Sequence, residues 1–108
     1  MDNIIFDLYE VAADRKIHRE EGSYTCYLYE KGLDKILKKV GEECAETIIA
    51  AKNGSNEELT LEICDLIYHI VVLMNQCDLP LESVMAELAK RAEKKNNLKE
   101  MKTVDKNT

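Results

Sequence analysis

The feature that most constrains this 108-residue chain is an almost wholly apolar stretch from Leu59 to Met74. Apolar residues occupy nearly every helical face of this stretch, and only four polar residues interrupt it: Thr60, Glu62, Asp65 and His69. A helix that is apolar nearly all round must be buried on most of its sides. Because a chain this short offers few partners for such a helix, we predict a helical bundle that is completed by homodimerisation.

The remaining chain also carries apolar residues at helical spacing, with glycine and proline at the breaks. A polar loop is expected over residues 15–23. The predicted helices share a repeat of apolar residues every three or four positions, and they cover about residues 2–14, 24–31, 33–52, 56–76 and 81–94. Short connections between successive helices predict an all-α antiparallel helical bundle.

The chain is predicted to form a single domain over residues 1–94, because its length suits one hydrophobic core. The last segment, residues 95–108, is polar and shows no helical periodicity. We therefore expect this segment to be a disordered tail.

Composition excludes several classes of protein. Fifteen basic and 21 acidic residues give a net charge of -6, which argues against a nucleic-acid-binding surface. No apolar run is long enough to predict a membrane span, and the acidic N-terminus does not resemble a secretory signal. The four cysteines lack the close spacing of a zinc site and are expected to be reduced thiols. These features predict a cytoplasmic protein that binds neither membrane nor nucleic acid.

Two carboxylate motifs lie on neighbouring predicted helices. Glu42, Glu43 and Glu46 form E-E-x-x-E, and Glu62 and Asp65 form E-x-x-D. Residues three or four apart project from the same side of a helix. Because the two helices are joined by a short turn, antiparallel pairing should bring the five carboxylates to similar heights, facing one another.

Such a cluster of carboxylates would be self-repelling unless a cation neutralised it. Mg²⁺ is the favoured cation, since it takes oxygen ligands from a few carboxylates, water and substrate phosphates. Glu62 and Asp65 carry the stronger part of this argument, because ionised groups in an apolar helix are costly unless paired or bound to metal. The alternative for the glutamates of the first motif is an ordinary solvated helix face.

Basic residues cluster just before the first motif, in the segment from Lys31 to Lys39. Lys35 and Lys39 are one helical turn apart and could hold the phosphates of a metal-bound substrate. Alternatively, these lysines form helix-surface pairs such as that of Lys39 with Glu43. His69 follows Asp65 by one turn, and either contacts the site or substrate or is a buried, hydrogen-bonded histidine.

Three longer motifs together resemble the phosphoribosyl-ATP pyrophosphatase family. They are S-Y-T at 23–25, G-x-D-K-I-x-K-K-V-G-E-E at 32–43 and E-x-x-D-L-x-Y-H at 62–69. The resemblance extends from about Leu8 to Arg91. The two carboxylate motifs alone would indicate only the wider superfamily of all-α nucleotide pyrophosphohydrolases, which includes MazG-like enzymes.

The resemblance implies a MazG-like all-α fold, a homodimer or higher assembly, and Mg²⁺-dependent hydrolysis of phosphoribosyl-ATP to phosphoribosyl-AMP and pyrophosphate in histidine biosynthesis. It implies that the metal ligands are Glu43, Glu46, Glu62 and Asp65, with Glu42 as a further ligand or as the base that orients water. Residues in matching stretches that would contact substrate are Arg15, Lys16, Ser23, Tyr24, Thr25 and Lys35. Because nothing precedes Met1, a stand-alone enzyme is expected rather than a fusion.

Two other functions are compatible with the carboxylate pattern. The chain could be a house-cleaning pyrophosphatase for a noncanonical nucleoside triphosphate. It could also be a helical dimerisation module whose carboxylates only face solvent. Mg²⁺-dependent release of pyrophosphate separates an enzyme from a module, and a comparison of nucleotide substrates separates the two enzymes.

Overall fold

The computed structural model describes residues 3–94, and within this range the chain forms five α-helices and no strand. The helices are α1 (Ile4–Ile17), α2 (Tyr24–Lys31), α3 (Leu33–Lys52), α4 (Asn56–Gln76) and α5 (Leu81–Ala92). The prediction of an all-α fold is therefore confirmed. The predicted tail, 95–108, lies outside the described residues.

The longest helices, α3 and α4, form an antiparallel hairpin that makes the most extensive interhelical contact in the described chain. Their connection is the tight turn from Asn53 to Ser55, in which Gly54 adopts a φ of +76° that favours glycine. The Ser55 side chain accepts a hydrogen bond from the Glu58 backbone N–H at 3.2 Å and so caps α4. Because the turn is short, it sets which residues of the two helices face each other.

The corner between α2 and α3 consists of a single residue, Gly32. Its N–H donates to the Leu28 carbonyl at 2.9 Å and its carbonyl accepts from the Ile36 N–H at 3.2 Å, so it ends one helix and starts the next. Its φ of +91° is one that residues with a Cβ rarely adopt. The predicted stop at Gly32 is confirmed, and α2 is held at a fixed angle to α3.

The core lies where α1, α2 and α4 pack together, with contributions from α3 and α5. Leu28, Ile36, Val71 and Val72 are fully buried there. Burying one such side chain stabilises the fold by about 1.5–3 kcal/mol relative to leaving it exposed. The core therefore fixes α2 against the second half of α4, beside the half that carries Glu62 and Asp65.

Two predicted helix ends differ from the structure. Helix α1 continues to Ile17, so Arg15 and Lys16 lie in its last turn and not in a loop. No glycine or proline interrupts the chain there, and basic residues in a last turn interact favourably with the helix dipole. Helix α5 ends at Ala92, two residues before the predicted end, which is the ordinary fraying of a helix terminus.

A network of hydrogen bonds ties α1 to the C-terminal end of α4. The Lys16 ammonium donates to the Asn75 backbone carbonyl at 2.8 Å and to an Asp78 carboxylate oxygen at 3.0 Å. The Tyr9 hydroxyl donates to the Leu79 carbonyl at 2.9 Å. Because the last carbonyls of a helix lack partners within it, Lys16 satisfies one of them from a neighbouring helix.

Several large apolar side chains remain exposed on the single chain. Helix α5 buries Leu81 but leaves Met85 and Leu88 about half exposed. In the first half of α4, Leu61 is 62% exposed, and Ile48 on α3 is 64% exposed.

Within the described part of the chain, no helix is long and apolar enough to cross a membrane.

The contact of Lys16 with the end of α4 predicts a loss of stability on its removal. We expect Lys16→Met to lower the free energy of unfolding by about 1 kcal/mol, because it removes a charge-assisted hydrogen bond at a helix C-terminus. Denaturant unfolding of the wild type and the variant measures this difference. Lys38→Met, on the exposed surface of α3, serves as the control and should change stability less; equal losses would contradict the assignment.

Candidate active site

The predicted meeting of the two acidic motifs is present at the α3–α4 contact. Glu43 on α3 and Glu62 and Asp65 on α4 each place a carboxylate oxygen within 4.8 Å of the other two. We refer to these three residues as the carboxylate cluster. Glu43 is 5% exposed, Glu62 is half-buried and Asp65 is exposed, so the cluster is closed on the α3 side and open on one edge.

Two oxygens of the carboxylate cluster are buried without a hydrogen-bond partner among the described residues, namely Glu43 Oε1 and Glu62 Oε1. A buried acceptor that lacks a partner is costly, and an ionised one more so. A hard divalent cation would bind both oxygens and neutralise their charge. The donor set is therefore that of a site for such a cation, which agrees with the chemistry predicted from the sequence.

The environment of Glu62 opposes its ionisation. Burial raises the pKa of the Glu62 carboxyl above its ordinary value of 4.5, and the neighbouring carboxylates of Glu46 and Glu43 raise it further. Glu46 lies close enough to share a proton with Glu62, although its own side chain is exposed. Four of the five predicted carboxylates thus meet at this position.

The fifth carboxylate, Glu42, interacts with Lys39. The Lys39 ammonium lies 3.2 Å from Glu42 Oε1 and 3.8 Å from Glu43 Oε2. This contact with Glu42 raises the pKa of Lys39, so the ammonium remains charged. The helix-surface pair of Lys39 with Glu43 is present, yet it also places a cation at the rim of the carboxylate cluster. Lys35 lies half-buried one turn earlier on α3.

His69 is a buried histidine with both ring nitrogens hydrogen-bonded. Its Nδ1 lies 2.7 Å from the Asp65 backbone carbonyl, and its Nε2 lies 2.8 Å from the Tyr24 hydroxyl. The first contact requires the proton on Nδ1, so in the neutral ring Nε2 accepts from the Tyr24 hydroxyl. His69 therefore contacts the backbone of a cluster residue rather than its carboxylate, and it joins α2 to α4 one turn from Asp65.

The other residues that were predicted to contact substrate form hydrogen bonds or ion pairs within the protein. The Ser23 hydroxyl accepts from the Cys26 N–H at 3.2 Å and caps α2. The Thr25 hydroxyl is bonded to that of Tyr68. Arg15 pairs with Asp14 at 3.1 Å and with Glu20 at 3.5 Å.

Lys16, a predicted site residue, lies far from the carboxylate cluster. It binds Asn75, which follows Asp65 by ten positions along α4, or about 15 Å at 1.5 Å per residue. By contrast, Tyr24 is near the cluster, and burial raises its pKa despite the nearby Lys39 charge. A cleft of about 760 Å³ opens beside Tyr24, between α2 and the preceding loop.

Two residues near the carboxylate cluster were not singled out from the sequence. The Thr47 hydroxyl donates to the Glu43 carbonyl at 2.7 Å and lies 3.5 Å from the Glu62 carbonyl, between the two helices. Tyr68 packs against both Tyr24 and His69. Tyr68 lies within the E-x-x-D-L-x-Y-H motif, and Thr47 follows Glu43 by one helical turn. Their spacing from the acidic residues was the sequence signal that could have placed both of them near the site.

An all-helical fold with buried, unpartnered carboxylate oxygens on two antiparallel helices defines a helical protein with an acidic centre whose donor set fits a divalent cation. Comparison with known proteins narrows this class. The model of the family described as phosphoribosyl-ATP pyrophosphohydrolase matches residues 6–92. The chain belongs to this family, whose members are pyrophosphatases that typically need a metal.

Individual relatives agree over nearly the full chain. A protein of Clostridium botulinum (strain Kyoto / Type A2) named phosphoribosyl-ATP pyrophosphatase is 58% identical over 106 residues, which cover 97% of this chain and 96% of the relative. A protein of the same name from Listeria innocua is 53% identical, with 94% of this chain and 98% of the relative covered. A histidine biosynthesis bifunctional protein of Thermoanaerobacter pseudethanolicus is 58% identical over 84 residues, which cover 78% of this chain and 39% of that protein.

The raised pKa of Glu62 predicts how stability depends on pH when no divalent cation is bound. The folded state holds this proton more tightly than the unfolded chain, so stability should fall as pH rises above 4.5 and through the folded-state pKa. Glu62→Gln should remove that fall and be the more stable protein at neutral pH in a chelator.

Thermal unfolding of both proteins across this pH range, with EDTA, measures the effect. Addition of Mg²⁺ should then stabilise the wild type more than Glu62→Gln, since ligand binding to the folded state stabilises it. Parallel pH profiles for the two proteins would show that Glu62 is not the responsible group.

Proposed function

We propose that this chain hydrolyses phosphoribosyl-ATP to phosphoribosyl-AMP and pyrophosphate, as a cytoplasmic enzyme of histidine biosynthesis. Membership of the family and the names of its relatives support the substrate. The observation that carries the chemistry is the pair of buried carboxylate oxygens without partners, Glu43 Oε1 and Glu62 Oε1. A helical interaction module has no use for two unpaired acidic oxygens at a helix contact, whereas a metal-dependent hydrolase does.

Glu43, Glu46, Glu62 and Asp65 would hold Mg²⁺ in this proposal. Their oxygens are the hard ligands that Mg²⁺ prefers, and the exposed edge at Asp65 leaves room for water and phosphate. Bound Mg²⁺ would supply Lewis acidity to the phosphoryl group and lower the pKa of a coordinated water.

The chain's own residues supply the rest of the chemistry. Half-buried Glu42 and exposed Glu46 lie at the rim of the carboxylate cluster, where a carboxylate can orient the attacking water and accept its proton. Lys39 is charged and lies at the same rim, so we assign it to the substrate phosphates, with Lys35 one turn earlier on α3. The cleft beside Tyr24 is wide enough for another part of the nucleotide.

We further propose that the active enzyme is a homodimer. The first half of α4 and the facing part of α3 expose Leu61, Ile63 and Ile48, and α5 exposes Met85 and Leu88. Several large apolar side chains left exposed on a chain this small favour a protein–protein contact. A second copy is the occupant we favour, because α4 is apolar over the length of this exposed region and needs helical partners there.

The carboxylate assignment predicts that Glu46→Gln abolishes turnover and leaves the fold intact. The substitution removes a negative charge at an exposed position, so folding should be unaffected while metal binding and water activation are lost. Pyrophosphate release with Mg²⁺ and phosphoribosyl-ATP should fall by about 10²-fold or more, in line with the loss of acid–base and metal assistance.

Glu57→Gln in the first turn of α4 is the matched control and should retain activity. Parallel assays with dUTP and dCTP distinguish the proposed enzyme from a house-cleaning pyrophosphatase. Wild-type turnover by Glu46→Gln would contradict its role as a ligand or base. Higher kcat/KM for dUTP or dCTP than for phosphoribosyl-ATP would overturn the substrate.

The exposed apolar surface predicts a dimer that a single charge weakens. Light scattering coupled to size exclusion should give the wild type twice the mass of one chain. Leu61→Lys should shift the protein towards the monomer, because an unpaired buried ammonium is costly in an apolar interface. Lys52→Glu, at the exposed end of α3, controls for altered surface charge. A monomeric wild type would refute the homodimer.

A further inference from the structure

The hydroxyl groups of Thr25 and Tyr68 are hydrogen-bonded to each other across the α2–α4 contact. Thr25 lies in the first turn of α2 and is only 9% exposed. Tyr68 is half-buried on α4, three residues after Asp65. The Thr25 hydroxyl is thus committed to a protein partner and faces away from solvent.

The ring of Tyr68 also packs against both members of the Tyr24–His69 hydrogen bond. Its centroid lies 6.2 Å from that of Tyr24 in a stacked arrangement and 5.3 Å from that of His69 edge to face. Both distances are typical of favourable aromatic pairs. The Tyr68 ring therefore supports the Tyr24–His69 hydrogen bond by packing against both residues. Tyr24 is also the sequence neighbour of Thr25.

We propose that Thr25 and Tyr68 act as a positioning pair, which sets the first turn of α2 against the carboxylate cluster and thereby orients Tyr24 and Ser23 towards the substrate. Thr25 then acts through Tyr68 and does not itself contact the nucleotide. This inference rests on the proposed function for its substrate, and it changes the role that the resemblance implied for Thr25.

The geometry explains why such a pair affects binding. Tyr24 is 44% exposed and lines the cleft, while its hydroxyl reaches His69 one turn from Asp65. The other end of α2 is fixed by the corner at Gly32. Release of the Thr25–Tyr68 bond would free the first turn of α2 to move, and small displacements of binding groups strongly reduce catalytic efficiency.

A double-mutant cycle tests the proposal, with Thr25→Val, Tyr68→Phe and the two combined. Each single variant should raise the KM for phosphoribosyl-ATP about tenfold, the effect of one lost buried hydrogen bond, with little change in kcat. If the residues act through one bond, the double variant should be no worse than the more impaired single variant. If Thr25 contacts the substrate directly, its effect will persist when Tyr68→Phe is already present, which would overturn the proposal.

Tyr29→Phe is the matched control. The Tyr29 hydroxyl donates to the Ala12 carbonyl at 2.8 Å and joins α2 to α1, away from the carboxylate cluster. Its removal should lower the melting temperature about as much as Tyr68→Phe does and leave KM unchanged. An equal rise in KM for Tyr29→Phe would show that any loosening of α2 has this effect, and would also overturn the proposal.

A measurement without substrate separates this inference from the proposed function. The ¹⁵N chemical shift of His69 Nε2 reports whether Tyr24 still donates to it. We expect that shift to move in Thr25→Val and Tyr68→Phe and to stay constant in Tyr29→Phe. If phosphoribosyl-ATP is not hydrolysed, only the proposed function fails; if the His69 shift is unchanged in all variants, the positioning pair fails.

Discussion

The site depends on one energetic conflict, which is the presence of acidic side chains at the contact of two packed helices. Glu43 is nearly inaccessible, and it faces Glu62 across α3 and α4 with an oxygen of each lacking a partner. Helix packing brings these groups together although their charges oppose it. Lys39 offsets only part of that repulsion. The protein thus retains at this position a local instability that a bound cation would relieve, as functional sites often do.

The regular parts of the fold could be predicted from the sequence because their signals are local. The bounds of α2, α3 and α4 follow from Gly32, from the Asn53–Gly54 turn and from the Ser55 cap. The facing of Glu43 with Glu62 follows from the length of that turn. Where no breaker residue was present, as after Asp14, the predicted end of α1 was wrong by three residues. The exposure of Met85 and Leu88 on α5 could not be predicted either, because periodicity does not tell which molecule covers an apolar face.

Individual side-chain roles were less accessible to prediction, since they depend on contacts distant in sequence. Lys16 matched the family as a basic residue, yet it binds Asn75, which is 59 positions away. His69 had two open interpretations, and its hydrogen bond to Tyr24 on another helix could not be read from the sequence. Tyr68 carried no signal of its own beyond its motif. Polar and aromatic residues have several possible partners, so their roles require the tertiary arrangement.

The one-residue corner at Gly32 has a consequence for how such proteins can vary in length. The helices on either side of it both carry groups that must face the same site, and a rotation of about 100° accompanies each residue added to a helix. An insertion at the corner would turn Tyr24 away from α4, whereas the loop before α2 and the chain ends can absorb one. Natural insertions and deletions should therefore collect outside the segment from Ser23 to Asp65, and domain fusions should join at the termini.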